Sequence, residues 1–181
     1  MDKALLVIDY TYDFVAEDGA LTCGQPGIDL EGYITELTRK FLDDGQLVIM
    51  PVDVHEKDDP YHPETKLFPP HNIRGTAGRE PFGTLHTLYE ERKEEILWVD
   101  KTRYSAFAGT DLEIQLRARG ITELHLVGVC TDICILHTSV DAYNKGFDII
   151  IHEKGVASFN PAGHEWALGH FENSLGATII R

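Results

Sequence analysis

Apolar residues in this chain fall into short unbroken runs separated by segments of helical spacing, and that alternation predicts the fold. The runs Lys3 to Ile8, Leu47 to Val52, Ile96 to Val99 and Leu124 to Val129 are too short for helices and have no polar face. Strands covered on both sides of a parallel sheet have this character. Phe147 to Ile151 reads as a fifth strand and Ala177 to Ile180 as a short last one. Between them, Ile34, Leu37, Phe41 and Leu42 recur at helical spacing and the pattern stops near Asp44-Gly45. Further helices are predicted from about Thr110 to Arg119, from Asp132 to Asn144 with a Gly146 C-cap, and near Ala162 to Phe171. The stretch from Asp53 to Phe82 carries Pro60, Pro63, Pro69, Pro70 and Pro81 and reads as a long irregular segment, a kind that usually serves function.

Strand and helix alternate throughout, which predicts one α/β domain over residues 1–181: a three-layer, doubly wound, mostly parallel sheet of Rossmann-like type. The first βα turn, Asp9-Tyr10-Thr11-Tyr12-Asp13, lacks a Gly-x-Gly-x-x-Gly, so a dinucleotide-binding domain is disfavoured. The length of 181 residues and 43% hydrophobic content suit a full core. With 16 Lys plus Arg against 30 Asp plus Glu, the formal charge is -14, which argues against a nucleic-acid partner. No apolar run approaches the roughly 20 residues that span a bilayer, and Met1-Asp2-Lys3 leads directly into a strand, so no membrane association and a cytoplasmic location are expected. Cysteines at 23, 130 and 134 are too sparse for a disulfide framework. No exposed apolar stripe stands out to define an oligomer, and a homo-oligomer stays open.

Charge and thiol chemistry gather at one edge of this predicted sheet. Asp9, Asp53, Lys101 and Cys134 each lie at or just beyond a strand end, the edge where open α/β sheets bind ligands. Gly128-Val129-Cys130-Thr131-Asp132-Ile133-Cys134 runs from strand into predicted helix, which would set Cys134 in a first turn whose free N–H groups favour thiolate and an oxyanion. Cysteine is also a common core residue, and this segment alone leaves a buried inert thiol open. Asp9 reads either as a loop cap or as a base for Cys134, and Lys101 as a surface lysine or a partner for that carboxylate. Asp53 and His55 leave an extended segment on one face and can share an ion, with His62, Glu64 and His71 following. Imidazoles and carboxylates in this number suit Zn²⁺, Fe²⁺ or Mn²⁺. The other histidines, His86, His125, His137, His152, His164 and His170, read as surface or satisfied core.

Five segments together carry a resemblance: Leu6-Val7-Ile8-Asp9-Tyr10-Thr11-Tyr12-Asp13-Phe14, Asp53-Val54-His55, Leu67-Phe68-Pro69-Pro70-His71, Lys101-Thr102-Arg103-Tyr104-Ser105-Ala106-Phe107 and Gly128 to Cys134. The whole chain resembles the isochorismatase-like cysteine hydrolases, most closely their nicotinamidase and pyrazinamidase branch. The resemblance implies Cys134 as nucleophile, Asp9 as general base then acid, and Lys101 as third member of the triad. It also implies a cis peptide between Val129 and Cys130, with the Cys130 and Cys134 amides as an oxyanion hole. Asp53, His55 and His71 match the branch's metal ligands. Glu64 is the choice for a fourth and His62 the alternative, because Glu56, Lys57, Asp58 and Asp59 stand where one version of the pattern has a third histidine. Phe14 and Phe68 match an aromatic wall around a pyridine ring, with Tyr104 or Phe107 as further members. The implied activity is hydrolysis of nicotinamide to nicotinate and ammonia through a thioester in NAD salvage, extending to pyrazinamide, with one divalent metal ion, Zn²⁺ before Fe²⁺ or Mn²⁺.

Overall fold

The computed structural model describes residues 2–181, and its six strands form one sheet in the order β3-β2-β1-β4-β5-β6. The strands are β1 (Lys3–Ile8), β2 (Leu47–Asp53), β3 (Ile96–Lys101), β4 (Glu123–Val129), β5 (Asp148–Ala157) and β6 (Thr178–Ile180), and every pairing is parallel. From β1 the chain winds outward through β2 and β3, then returns to place β4 on the other side of β1. The order reverses between β1 and β4, so the loops leaving these two strands part at their C-terminal ends and open a crevice.

Period-2 alternation assigns each side chain of β1 to one of two cores. Ala4, Leu6 and Ile8 pack with Leu112, Leu116, Ala142 and Phe171, whereas Leu5 and Val7 pack with Ile34, Phe41, Leu85 and Leu88. The first set comes from α5 (Leu112–Ala118), α6 (Leu136–Asn144) and α7 (Pro161–Ser174), and the second from α3 (Glu31–Asp43) and α4 (Thr84–Arg92). Helices thus cover both faces, and the strands are apolar on both faces for that reason. Two one-turn helices, α1 (Tyr12–Val15) and α2 (Gln25–Ile28), sit in the loop after β1.

Several boundaries differ from the sequence reading. Helix α4 was not expected, because it buries only Leu85 and Leu88 and lacks a clear apolar stripe. Strand β5 continues to Ala157 through the polar residues His152, Glu153 and Lys154, which end its apolar run. His125 and His152 are satisfied core residues: His125 bonds Glu123 and His152 at 2.8 Å each, and His152 meets the Tyr33 hydroxyl at 2.8 Å.

Gly128 fixes the approach of β4 to β1 just before the crevice. Its φ is 120°, and a Cβ there would lie 1.9 Å from the Ile8 carbonyl oxygen. The nearest atoms are all Ile8 backbone, so no flexible side chain can yield. Gly128→Ala is therefore expected to destabilise the protein by more than about 3 kcal/mol, combining backbone strain with a steric overlap. Thermal unfolding of the purified variant checks this, and an unchanged midpoint would show that the two strands can part without cost.

Candidate active site

The strand register carries Asp53 and Lys101 to the same level, since they are direct partners across β2 and β3. Asp9 follows β1 in a left-handed conformation, φ 54°, which turns its carboxylate back over the sheet edge. Its Oδ1 accepts the Asp53 backbone N–H at 2.8 Å. The Lys101 ammonium then lies 2.7 Å from Asp9 Oδ2, 2.6 Å from Asp53 Oδ1 and 3.7 Å from Cys134 Sγ, and also donates to the Arg103 carbonyl at 3.1 Å. Asp9 and Lys101 are 0% exposed and Cys134 is 5% exposed, so the group is screened from bulk water.

Burial and mutual charge set the protonation of these groups. Burial pushes the Asp9 carboxyl up, Lys101 draws it down and Asp53 pushes it up again, leaving it at about 6. For Asp53 burial pushes the carboxyl up, but the combined pull of Lys101 and His55 exceeds it and holds the carboxyl down at about 2. Burial disfavours the Lys101 ammonium, but Asp53 and Asp9 more than compensate and keep it charged. The Cys134 thiol is held well above its ordinary range by burial, with the Lys101 charge opposing. That departs from the sequence expectation of a thiolate favoured by a helix N-terminus. Cys134 does not lie in the first turn of an α-helix at all. Residues Thr131–Ile135 form a wider π-helical turn, and α6 begins only at Leu136. The Val129–Cys130 peptide is cis.

Beside this set, Asp53, His55, Glu64 and His71 bring ligand atoms within 4.8 Å of one another, all four side chains being buried. His71 Nδ1 is engaged with the Pro69 carbonyl at 2.7 Å, which leaves Nε2 with a free lone pair. His71 Nε2 lies 3.2 Å from Glu64 Oε2 and His55 Nε2 3.8 Å from Asp53 Oδ2, and among the described residues His71 Nε2, His55 Nε2, Glu64 Oε1 and Asp53 Oδ2 are buried without a well-formed hydrogen bond. Four orphaned acceptors of this kind are costly unless a cation satisfies them, and two imidazoles with two carboxylates suit a divalent first-row ion. The residues therefore fit a metal. Glu64, and not His62, completes the group; His62 instead caps the short 3₁₀ turn Pro63–Lys66 that carries Glu64, its Nδ1 accepting the Glu64 N–H at 3.2 Å.

Between thiol and ligand cluster lies a slot of about 330 Å³. Phe14, Phe68 and Tyr104 line it as expected, together with Cys130 and Cys134. Phe107 does not: it stacks on Phe147 in the core with centroids 5.8 Å apart, because the segment after Lys101 turns it inward. Leu21, Thr22, Ile133 and Phe159 also line it, and the sequence gives no sign of this because isolated residues of loops and of the short π-helical turn carry no periodic signal. The irregular stretch is anchored by residues that the motif reading passed over as supports. Asn72 N–H donates to Asp13 Oδ2 at 2.8 Å, Thr11 Oγ1 bonds Asn72 Oδ1 at 3.0 Å, and Arg79 donates to the Asp53 carbonyl at 2.8 Å.

A doubly wound sheet with a buried thiol, carboxylate and ammonium at its switch point defines an α/β enzyme of hydrolase type. The chain belongs to the isochorismatase family, whose isochorismatase domain model matches residues 3–181. It is 60% identical over 181 residues, 99% of each chain, to the isochorismatase family protein PncA of Bacillus subtilis. The crystal structure of nicotinamidase/pyrazinamidase PncA from Bacillus subtilis superposes with a TM-score of 0.98 at 61% identity, covering 100% of both chains. The pyrazinamidase of Pyrococcus horikoshii in complex with zinc superposes with a TM-score of 0.88 at 28% identity over 100% of this chain and 99% of that one. Among the described residues no helix is long and apolar enough to cross a membrane.

Proposed function

We propose that this chain is a nicotinamidase that hydrolyses the carboxamide of nicotinamide to nicotinate and ammonia, and that of pyrazinamide by the same route. The observation that carries this reading is the Lys101 ammonium in contact with Asp9, Asp53 and Cys134 beside an apolar slot that Cys134 and the cluster members Asp53 and Glu64 all line. The slot walls contain no lysine or arginine, which favours a neutral heteroaromatic amide over substrates that bring a carboxylate. Likeness to nicotinamidase structures supports the same choice.

In this reading Asp9, ionised at neutral pH, takes the Cys134 proton as sulfur attacks the carboxamide carbon. The amides of Cys130 and Cys134 receive the developing oxyanion. Asp9 returns the proton to the departing ammonia, leaving a thioester on Cys134. Water then attacks the thioester carbon, Asp9 accepts its proton, and nicotinate leaves as the thiol is restored. Lys101 keeps Asp9 in place and offsets the negative charge that builds between sulfur and carboxylate. Phe14, Phe68 and Tyr104 hold the ring so that the amide carbon stays within about 3 to 3.5 Å of sulfur. Asp53, His55, Glu64 and His71 would hold the divalent ion, Zn²⁺ being our assignment, and when bound it supplies an electrophile for the ring nitrogen.

The test is release of ammonia and nicotinate from nicotinamide by the purified protein, with pyrazinamide in parallel. Turnover of both is expected, and a folded, zinc-loaded sample that hydrolyses neither would refute the assignment. Removal of the ion by dialysis against a chelator is expected to lower kcat/KM at least about tenfold and to lower the melting temperature, because a metal that binds only the folded state stabilises it. Both should return on adding Zn²⁺. Full activity in protein shown by elemental analysis to be metal-free would remove the ion from the mechanism.

A further inference from the structure

The ligand cluster is a partition between two cavities, and only one of them is the substrate slot. A second cavity of about 500 Å³ is lined by His55 and His71, which do not touch the slot, while Asp53 lines the slot alone. Glu64 and Phe68 face both. His55, Glu64 and His71 are only 6%, 4% and 2% exposed, yet among the described residues His55 Nε2, Glu64 Oε1 and His71 Nε2 make no well-formed hydrogen bond. The outer cavity thus backs onto His55, Glu64 and His71, whose unsatisfied ligand atoms are buried just behind its wall.

Its solvent side carries a charge of the complementary sign. Asp58 is exposed and Asp59 half-buried along the cavity wall, with Lys57 as the opposing cation there. Glu56 also lines it but is engaged by Arg74 at 2.6 Å, which removes much of its pull. Among the described residues Asp58 and Asp59 form no salt bridge, whereas Glu56 beside them is paired with Arg74, so the two aspartates leave a net negative charge on this wall. Clefts lined by one sign of charge concentrate the opposite ion and accelerate its association.

We propose that the divalent ion enters and leaves its cluster through this outer cavity, drawn by Asp58 and Asp59, and not through the substrate slot. The inference rests on the metal-site reading above. Its consequence is functional: the centre can be loaded or stripped while substrate or product fills the slot, so metal exchange and turnover do not compete for one path.

Stopped-flow uptake of Zn²⁺ by the chelator-stripped protein, and its release to a chromogenic chelator, test the route without reference to activity. The double variant Asp58→Asn, Asp59→Asn suits this purpose. Asparagine tolerates the left-handed backbone of residue 58, φ 61°, and keeps the acceptor that receives the Tyr61 N–H at 2.8 Å from residue 59. Zinc association is expected to slow about three- to tenfold at low ionic strength, and the difference to vanish at about 0.5 M salt. Thr65→Trp, which fills the outer cavity, is expected to slow release several-fold, whereas Leu21→Trp, which fills the slot mouth, leaves release at the wild-type rate. Melting curves establish that each variant is folded. Wild-type association in the double variant, or release slowed as much by Leu21→Trp as by Thr65→Trp, overturns the route and leaves the cluster standing. A folded wild-type protein that takes up no zinc overturns the route and the metal reading together.

Discussion

Cys134→Ala is expected to lower nicotinamide turnover by at least about 10⁴-fold, the scale lost when the nucleophile of a concerted set is removed. Its melting temperature should stay close to wild type, because the substitution deletes one atom at the wall of an open slot and leaves the Lys101 contacts with Asp9 and Asp53 intact. Asp9→Asn is the companion. It keeps an acceptor for the Asp53 N–H and leaves Asp53 beside the ammonium, yet cannot take a proton from sulfur. A loss of about 10² to 10⁴ in kcat is expected. Ammonia release assays on both variants, alongside circular dichroism, make the measurement. Substantial turnover in Cys134→Ala would exclude the thioester, and substantial turnover in Asp9→Asn would assign the proton transfer elsewhere.

Lys101→Met should damage stability as well as activity, and in this it differs from its neighbours. Lys101 is 0% exposed between Asp9 and Asp53, at 0% and 1%. Methionine fills much of the volume but leaves two buried carboxylates facing each other without a cation. Breaking a buried ion set in this way costs about 3 to 5 kcal/mol, which for a chain of this size lowers the melting temperature by on the order of 10 °C. The sign of the pH dependence follows. Without Lys101, burial and mutual repulsion raise the folded-state pKa of Asp9 beyond about 6, further above the unfolded value. A group raised on folding contributes stability that is present below its unfolded pKa and lost as pH rises through the folded one. The deficit against wild type should therefore be larger at pH 8 than at pH 5. Equal melting temperatures for variant and wild type at pH 8 would show that the pair is not held as two anions.

Strand runs are legible because a sheet covered on both faces demands unbroken apolar segments, and all six strands begin at or beside those runs, although β5 continues past its own to Ala157. The helix α3 is legible because Ile34, Phe41 and Leu42 keep helical phase, whereas α4 buries too little to show a stripe. Extending the predicted helix back to Asp132 failed because local pattern cannot distinguish an α-turn from the wider π-turn at Thr131–Ile135.

The sequence by itself determined the chemistry: which thiol, carboxylates, imidazoles and ammonium the chain can offer, and that strand ends present them at one edge. Only the tertiary structure decided how they meet. Strand order, a property of long-range pairing, sets β1 beside both β2 and β4, and the alignment of Asp53 with Lys101 brings the ammonium within 2.7 Å of Asp9. Chain spacing could not choose between His62 and Glu64, which are two residues apart; the 3₁₀ turn sends one to cap backbone and the other into the cluster. Nor could it separate Tyr104 from Phe107, of which packing sends the first to the slot and the second to the core. Residue type fixes what a side chain can do, and the pairing of distant segments fixes what it faces.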